Sequence, residues 1–278
     1  MAPAKVTIPE LQARKGKQKF TMLTAYDVPI ARLVDDAGID VILVGDSLGA
    51  VMLGYPGTAP VTMDEMIHHA KAVGRTAKRA LLVGDMPFMS YQADTAEAIR
   101  NAGRHIKEAG MDCVKLEGTA KQAPIARAIV DAGIAVIGHI GLTLQTAASL
   151  GGVTVQGGTA ETARRILEDA LAMEAAGCWA VLMEAVPADL GALITHRLKV
   201  PTIGIGAGPA CDGQVLLTHE MLGLFPGLGL PWGKRYVDAG AVMSQAIRQY
   251  ADDIHSGVFP GPENSFPMDE QLLRELDG

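Results

Sequence analysis

Aromatic residues and positive charge are both scarce in this sequence. Phe, Trp and Tyr make up 4% of the chain, so a large core must be built from Ala, Val, Ile, Leu and the 13 Met residues. Acidic residues outnumber basic ones by 31 to 24, which gives a formal net charge of −7. Because nucleic-acid binding needs a basic patch and none is visible, the composition argues against a nucleic-acid partner.

Cysteines and long apolar runs are also few. Cys113, Cys178 and Cys211 lie far apart and form no C-x-x-C motif, which indicates buried, reduced thiols in a reducing compartment. The sequence contains no charge-free run of about 18 apolar residues, which is the length that would predict a transmembrane helix. The N-terminus lacks the apolar core of a signal peptide. We therefore expect a cytoplasmic protein without membrane contact.

Short apolar runs recur along the chain, and amphipathic stretches separate most of them. The runs are almost continuously apolar rather than alternating, which is typical of parallel strands buried on both faces. The predicted strands are 20–24, 40–45, 80–84, 113–116, 134–138, 180–183 and 202–205, with a weaker eighth at 214–217. The predicted helices are 28–37, 63–76, 95–109, 120–132, 160–176 and 188–198.

The alternation of strand and helix predicts βαβ units and an α/β fold with a parallel sheet. Four of the predicted helices end in Ala-Gly, at Gly38, Gly110, Gly133 and Gly177, where glycine supplies the left-handed conformation that stops a helix. About eight units in 278 residues favour a single-domain (β/α)₈ TIM barrel over the alternative, an open doubly wound sheet. Residues 8–14 would form a helix capping the barrel, and 239–278 a C-terminal helix and tail.

Four acidic residues stand at the carboxyl ends of predicted strands: Asp46, Asp85, Glu117 and Glu184. In a barrel these ends converge on one rim, where such enzymes place their active sites. Carboxylates crowded there repel each other unless a cation is present, and oxygen ligands of this kind suit Mg²⁺. The simpler alternative is that each acid caps the following helix or pairs with a surface lysine.

Two basic side chains are predicted at the same rim. Lys115 lies two residues before Glu117 and therefore on the same face of its strand. It would bind a substrate carboxylate, pair with Asp85, or only balance the acidic charge. His139 ends the fifth strand and would bond a substrate carboxylate or carry protons near neutral pH, unless it is a buried structural histidine.

A glycine-rich loop, 204–208, follows the seventh strand and would either cradle a phosphate or form a tight turn close to the site. The sequence contains no G-x-S-x-G elbow, no HExxH and no Walker loop. Nucleophilic catalysis therefore lacks a candidate residue. The remaining chemistry is metal-assisted: a Lewis acid that holds an oxo acid, and a carboxylate base.

At these motifs the sequence resembles the ketopantoate hydroxymethyltransferases. The matching stretches run in the family's order from about residue 20 to 235, and their succession is far more specific than any single piece. They are VGDSLG at 44–49, GYPGT at 54–58, VT at 61–62, GDMPF at 84–88, VKLEG at 114–118, GHIGLT at 138–143, ME at 183–184, GIGAG at 204–208 and DGQ at 212–214. One departure is Leu144, where the family usually has proline; it is expected to loosen the loop after the fifth strand.

The resemblance implies a role for each rim residue. Asp46, Asp85 and Glu117 would surround Mg²⁺, some of them through water. Asp46, Asp85, Ser47 and Lys115 would contact 3-methyl-2-oxobutanoate. The remaining roles are assigned to His139, which would help to hold the substrate carboxylate, and to Glu184, which would be the general base.

The resemblance also implies a reaction. A hydroxymethyl group would pass from 5,10-methylenetetrahydrofolate to 3-methyl-2-oxobutanoate through a Mg-stabilised enolate, giving 2-dehydropantoate in pantothenate biosynthesis. A homo-oligomer, and specifically a decamer, is expected. Two rival interpretations stay open: another metal-dependent 2-oxo-acid enzyme of the same barrel type, such as a C–C lyase or a phosphonomutase, and a catalytically silent scaffold.

Overall fold

Eight parallel strands close into a barrel in chain order in the computed structural model, which describes residues 4–225 and 232–278. The last strand pairs with the first through Met22 and Val215. The TIM-barrel prediction is confirmed. The strands are β1 (Phe20–Thr24), β2 (Val41–Val44), β3 (Leu81–Asp85), β4 (Cys113–Glu117), β5 (Val136–Gly141), β6 (Ala180–Glu184), β7 (Thr202–Ile205) and β8 (Gly213–Leu216).

Helices surround the barrel and also extend the chain at both termini. The α-helices are α1 (Ile8–Ala13), α2 (Val28–Asp36), α3 (Leu48–Val51), α4 (Met63–Thr76), α5 (Thr95–Ala109), α6 (Ala123–Asp131), α7 (Ala160–Ala175), α8 (Ala188–Arg197), α9 (Thr218–Met221), α10 (Ala239–Ser256) and α11 (Glu270–Asp277). Two 3₁₀ helices span Leu144–Leu150 and Pro262–Asn264. Among the described residues, no helix is both long and apolar enough to cross a membrane.

The strands are apolar throughout because the two faces of each strand are buried in different surroundings. In β2, Val41 and Leu43 face the barrel interior, while Ile42 and Val44 pack against the outer helices. All four residues are buried. This burial on both faces explains why the strand sequences are continuously apolar and do not alternate between apolar and polar residues.

The predicted helix ends are confirmed where glycine follows alanine. All four predicted glycines adopt a left-handed conformation, with φ between 70° and 90°. Helix α4 begins with a capping box in which Thr62 Oγ1 accepts from the Glu65 amide and the Glu65 carboxylate accepts from the Thr62 amide. Two boundaries were wrong by three residues. Helix α6 was predicted from residue 120 but begins at Ala123, with Pro124 in its first turn. The fifth strand was predicted to end at residue 138 but continues to Gly141, so His139 lies within β5 and not at its end.

Helix α1 lies at the amino-terminal end of the barrel. Its Leu11 has no exposed surface and packs with Val6 and Phe20 in the same apolar cluster as the inward-facing strand residues. Loops form the opposite end of the barrel, where the strands end. The site described below lies at that end.

Asp212 joins the start of β8 to two other parts of the barrel's lower end. Its carboxylate accepts from the Gly16 amide at 2.9 Å and from the Thr202 amide at 2.9 Å, and Lys15 Nζ lies 3.0 Å from it. Burial raises the pKa of Asp212, but these donors outweigh burial and hold the pKa below its ordinary value. The ionised carboxylate therefore stabilises the folded state.

Helices α10 and α11 have no buried residues. The segment 259–266 contains the second 3₁₀ helix, and its Phe266 is 99% exposed. Helix α11 follows it and was not predicted. The large apolar side chains exposed on α10 are Val242, Met243, Ile247, Tyr250 and Ile254.

Candidate active site

The strand-end residues line one small chamber at the carboxyl end of the barrel. The chamber has a volume of about 50 Å³, room for roughly four water molecules. All seven residues predicted from the sequence line it, and every one is buried. They are Asp46, Ser47, Asp85, Lys115, Glu117, His139 and Glu184. The apolar part of the wall comes from Leu43, Leu144, Leu182, Ile205, Val215 and Leu217.

Lys115 and Asp85 lie opposite each other in paired strands, and they form a buried ion pair. Lys115 Nζ is 2.9 Å from Asp85 Oδ1, and the Asp46 amide donates to Asp85 Oδ2 at 3.0 Å. Burial raises the pKa of Asp46 well above its ordinary value, and the charges of Asp85 and Glu117 raise it further. Burial alone would lower the pKa of Lys115, but the surrounding carboxylates, led by Asp85, outweigh burial and raise it.

His139 lies between two carboxylates. Its Nδ1 is 3.4 Å from Glu117 Oε1, and its Nε2 is 3.3 Å from Glu184 Oε2. Burial and the charge of Lys115, whose Nζ is 3.3 Å from Nδ1, lower the pKa of His139. The two carboxylates outweigh both effects and raise that pKa to about 9, so the ring is a cation at neutral pH. Burial raises the pKa of Glu117, but contact with His139 lowers it below its ordinary value.

The chamber holds more negative than positive charge. Four carboxylates face only two cations, Lys115 and His139. Within residues 4–225 and 232–278, no three His, Cys, Asp or Glu side chains form a ready-made ligand set for a metal. Mg²⁺ needs fewer protein ligands, because it usually takes one or two carboxylates together with water and substrate oxygens. Burial, with a further contribution from the neighbouring carboxylates, raises the pKa of Asp46 and of Asp85, and a bound cation would offset this cost of ionising them.

Gln145, which sequence reasoning missed, connects several parts of the site. Its side-chain amide donates to Asp46 Oδ2 at 2.9 Å and to the Met86 carbonyl at 2.9 Å. Its backbone amide donates to Glu117 Oε2 at 3.1 Å, and its side-chain oxygen accepts from the Tyr91 hydroxyl at 2.8 Å. The only sequence signal is its place, shortly after the end of β5.

Tyr26, also missed, supports the serine of the site. Its hydroxyl lies 2.8 Å from Ser47 Oγ, and its side chain has no exposed surface. Burial raises the pKa of Tyr26 to about 12, so the phenol stays neutral. This buried hydrogen bond limits the rotamers of Ser47 at the chamber wall.

The backbone after Glu184 is strained. Ala185 has φ 51°, in the left-handed region that disfavours residues with a Cβ. Its amide donates to the Ile205 carbonyl at 2.9 Å, and its carbonyl accepts from the Gln156 amide at 2.8 Å. These two bonds hold the turn that directs the chain away from β6.

The glycine-rich loop at 204–208 is a tightly packed turn. A Cβ on Gly206 would lie 2.7 Å from the Trp232 side chain, and one on Gly208 would lie 2.6 Å from the Ala188 side chain. Both glycines have positive φ, of 62° and 83°. Close packing and turn geometry therefore account for the glycines, which favours the tight turn over the phosphate cradle.

A larger cavity of about 600 Å³ adjoins the chamber. Glu117 lines both spaces, and Gln145 lies in the wall of the larger one while it bonds to Asp46. The remaining walls come from the loops after β3, β4 and β5 and from the first half of α7. The two spaces are therefore neighbours that share Glu117 in their walls.

Comparison with solved structures shows the barrel fold. The chain is similar to a phosphonopyruvate hydrolase with a TM-score of 0.62 and 14% identity, covering 98% of this chain and 94% of the other. It is also similar to a 2,3-dimethylmalate lyase with a TM-score of 0.60 and 16% identity, covering 99% and 96%. At these identities the likeness concerns the fold alone.

Comparison of sequences shows the family. The family described as ketopantoate hydroxymethyltransferase matches residues 5–262. A relative from Heliobacterium modesticaldum, a 3-methyl-2-oxobutanoate hydroxymethyltransferase, is 52% identical over 269 residues, 96% of this chain and 98% of its own. One of the same description from Moorella thermoacetica is 53% identical over 264 residues, 95% of this chain and 98% of its own. The chain therefore belongs to the ketopantoate hydroxymethyltransferase family of enzymes.

Proposed function

We propose that this enzyme transfers a hydroxymethyl group from 5,10-methylenetetrahydrofolate to 3-methyl-2-oxobutanoate, a step of pantothenate biosynthesis. The donor, the oxo acid and one water give 2-dehydropantoate and tetrahydrofolate. The observation that carries the proposal is the chamber itself: one carboxylate, Glu184, faces a cluster of acids and two cations in a space that admits only a small molecule. The relatives described above are named for the same substrate, 3-methyl-2-oxobutanoate.

The chamber wall matches the two ends of the oxo acid. Lys115 and His139 supply positive charge for the substrate carboxylate, and Ser47 supplies a hydroxyl that Tyr26 orients. The leucine, isoleucine and valine side chains of the wall offer an apolar surface for the two methyl groups at C3. The polar and apolar contacts would therefore bind the substrate in a single orientation.

Glu184 is the proposed general base. It would take the proton from C3 of the oxo acid, and the electron pair of that bond would pass into the enolate. Over the whole transfer both carbon–nitrogen bonds of the donor's methylene carbon break: the enolate carbon replaces one nitrogen and the oxygen of water replaces the other. The C3 proton and a proton from water end on the two nitrogens, which gives tetrahydrofolate. His139, 3.3 Å from Glu184 Oε2, limits the directions in which the carboxylate can point. The position of Glu184 on a rigid strand end keeps it aimed at one substrate atom.

Asp46 and Asp85 are the residues that would hold Mg²⁺. When bound, the ion supplies positive charge against the negative charge that develops on the oxo acid's oxygen atoms. Glu117, whose two oxygens contact His139 and the Gln145 amide, would reach the ion through water. Lys115 keeps Asp85 ionised and oriented toward the chamber.

The experiment that tests this function has two readouts. The purified protein with Mg²⁺ in D₂O should exchange the C3 proton of 3-methyl-2-oxobutanoate without any folate, and addition of 5,10-methylenetetrahydrofolate should give 2-dehydropantoate. NMR follows both reactions in one tube. Absence of exchange and of product, in protein with a cooperative thermal transition, would refute the proposal.

The enzyme is also proposed to be a homo-oligomer, with the decamer as the expected form. The apolar side chains exposed on α10 support association, since monomeric proteins rarely expose a large contiguous apolar patch. Native mass spectrometry should show ten chains. A monomer across micromolar concentrations would contradict the proposal. The cytoplasmic location stays a prediction.

A further inference from the structure

We propose that the 600 Å³ cavity beside the chamber binds the reduced-folate donor, with Lys121 and Arg165 at its mouth holding the donor's glutamyl carboxylates. This inference rests on the function proposed above. It names a second substrate site, separate from the chamber that holds the oxo acid. Size, connection, charge and local rigidity each support it.

Size requires a second site. The chamber, at about 50 Å³, lies far below the volume of pockets that bind a bicyclic ring system. The neighbouring cavity, at about 600 Å³, falls within the range of pockets that bind drug-sized molecules. Carbon transfer requires the donor's methylene group to reach the enolate carbon, so the donor must lie in a space that adjoins the chamber.

The inner end of the cavity meets that requirement. It is formed by Glu117, Tyr91 and Gln145, all of which are buried. Gln145 also bonds to Asp46 at 2.9 Å, and Glu117 lines the chamber directly. A ring system bound against these residues lies next to the oxo acid. The side walls carry hydroxyl and amide groups for the ring's donors and acceptors, on Gln92, Gln122, Thr143 and Thr146.

The acidic and the basic residues of the cavity lining differ in exposure. The acidic lining residues, Glu117 and Asp169, are buried, whereas the basic ones, Lys121 and Arg165, are exposed. A reduced folate has the matching polarity, because its ring end is rich in N–H donors and its glutamyl end carries carboxylates. The cavity therefore favours binding with the ring inward and the tail at the solvent.

Arg165 is available for such a ligand. Its only ion pair among the described residues is with Glu161 at 3.6 Å, and both side chains are largely exposed, at 63% and 82%. Exposed pairs of this kind contribute little to stability and exchange readily. A ligand carboxylate can therefore replace Glu161 at small cost.

Lys121 is carried by a loop with a fixed backbone. Asp169 of α7 accepts from the Ala120 amide at 2.7 Å, and Gln122 Oε1 accepts from the Thr119 amide at 3.0 Å. Helix α7 also carries Arg165, so Asp169 ties the loop with Lys121 to the helix with Arg165. The backbone positions that carry the two cations are consequently tied to each other at the cavity mouth.

The test compares Lys121→Gln and Arg165→Gln with the control Arg164→Gln. Arg164 is the neighbouring exposed residue of the same helix and does not line the cavity. Each cavity variant should raise KM for 5,10-methylenetetrahydrofolate by about fivefold at low ionic strength, the size expected for an exposed ion pair. KM for the oxo acid and the rate of folate-free C3 exchange should stay at the wild-type values.

Ionic strength supplies the second measurement. Added KCl should raise KM for the folate in the wild-type enzyme and in Arg164→Gln, and much less in the double variant that lacks both cavity cations. Equal folate KM in all variants, with exchange intact, would overturn the cavity assignment and leave the proposed function standing. Loss of exchange in the wild type would overturn the proposed function itself.

Discussion

The replacement Glu184→Gln tests the assignment of the general base most directly. Glutamine keeps the volume and the side-chain length of glutamate at a buried position, since Glu184 is 6% exposed. It removes the carboxylate that would accept the C3 proton. The expected loss in the exchange rate is about 10²–10⁴-fold, the usual contribution of a positioned general base, which equals roughly 3–5 kcal/mol of activation free energy.

The assay is the disappearance of the C3 proton signal of 3-methyl-2-oxobutanoate in D₂O, followed by ¹H NMR with Mg²⁺ and without folate. Binding of the oxo acid, measured by calorimetry, should change little, since Lys115 and His139 remain in place. The control is Glu168→Gln, on the exposed face of α7, which should exchange at the wild-type rate. Exchange by folded Glu184→Gln protein within a few-fold of wild type would refute the assignment.

Three further predictions concern the metal and the stability of the barrel. Asp85→Ala should weaken Mg²⁺ binding by at least about tenfold in calorimetry, and unchanged affinity would exclude its ligand role. Asp212→Asn should lower the free energy of unfolding by about 2–4 kcal/mol at pH 7 in urea titrations, whereas the exposed Asp131→Asn should change it by less than about 0.5 kcal/mol. Because the folded-state pKa of Asp212 is lowered, its contribution to the free energy of unfolding is complete above about pH 4 and is lost below it. The difference in unfolding free energy between wild type and Asp212→Asn should therefore disappear in acid. A difference that does not change with pH would contradict this. Gly84→Ala should destabilise by about 1–3 kcal/mol, because the added Cβ would lie 2.2 Å from His105 Nδ1, and an unchanged urea midpoint would show that the ring can move.

The barrel was predictable because its strands have a simple sequence signature. Burial on both faces makes each strand a short apolar run, and glycine after alanine marks the helix ends. Short elements had no such signature. Helices α3 and α9 have four residues each, too few for a periodic pattern, and α11 lies beyond a segment rich in proline and glycine. Tertiary contacts determine such pieces.

The polar residues of the candidate site were predictable for a topological reason. Parallel strands in a closed barrel finish at the same rim, so the side chains that follow them must meet. Gln145 and Tyr26 could not be identified in this way. The bond from Gln145 to Asp46 joins residues 99 positions apart and depends on the path of a loop, which no local pattern encodes. The charge state of His139 also could not be predicted from the sequence, because it depends on the distances from the ring to the neighbouring carboxylates.

The left-handed conformation of Ala185 costs free energy, and it also restricts the backbone next to the Glu184 carboxylate. Glycine at this position would relieve the torsional penalty, which is about 1 kcal/mol, yet would give the peptide after Glu184 more conformations to sample. Alanine leaves the carboxylate with fewer alternative directions at the expense of a less stable turn. A sequence chosen only for thermal resistance would therefore place glycine at position 185, and under the proposed mechanism that change would slow proton abstraction by Glu184.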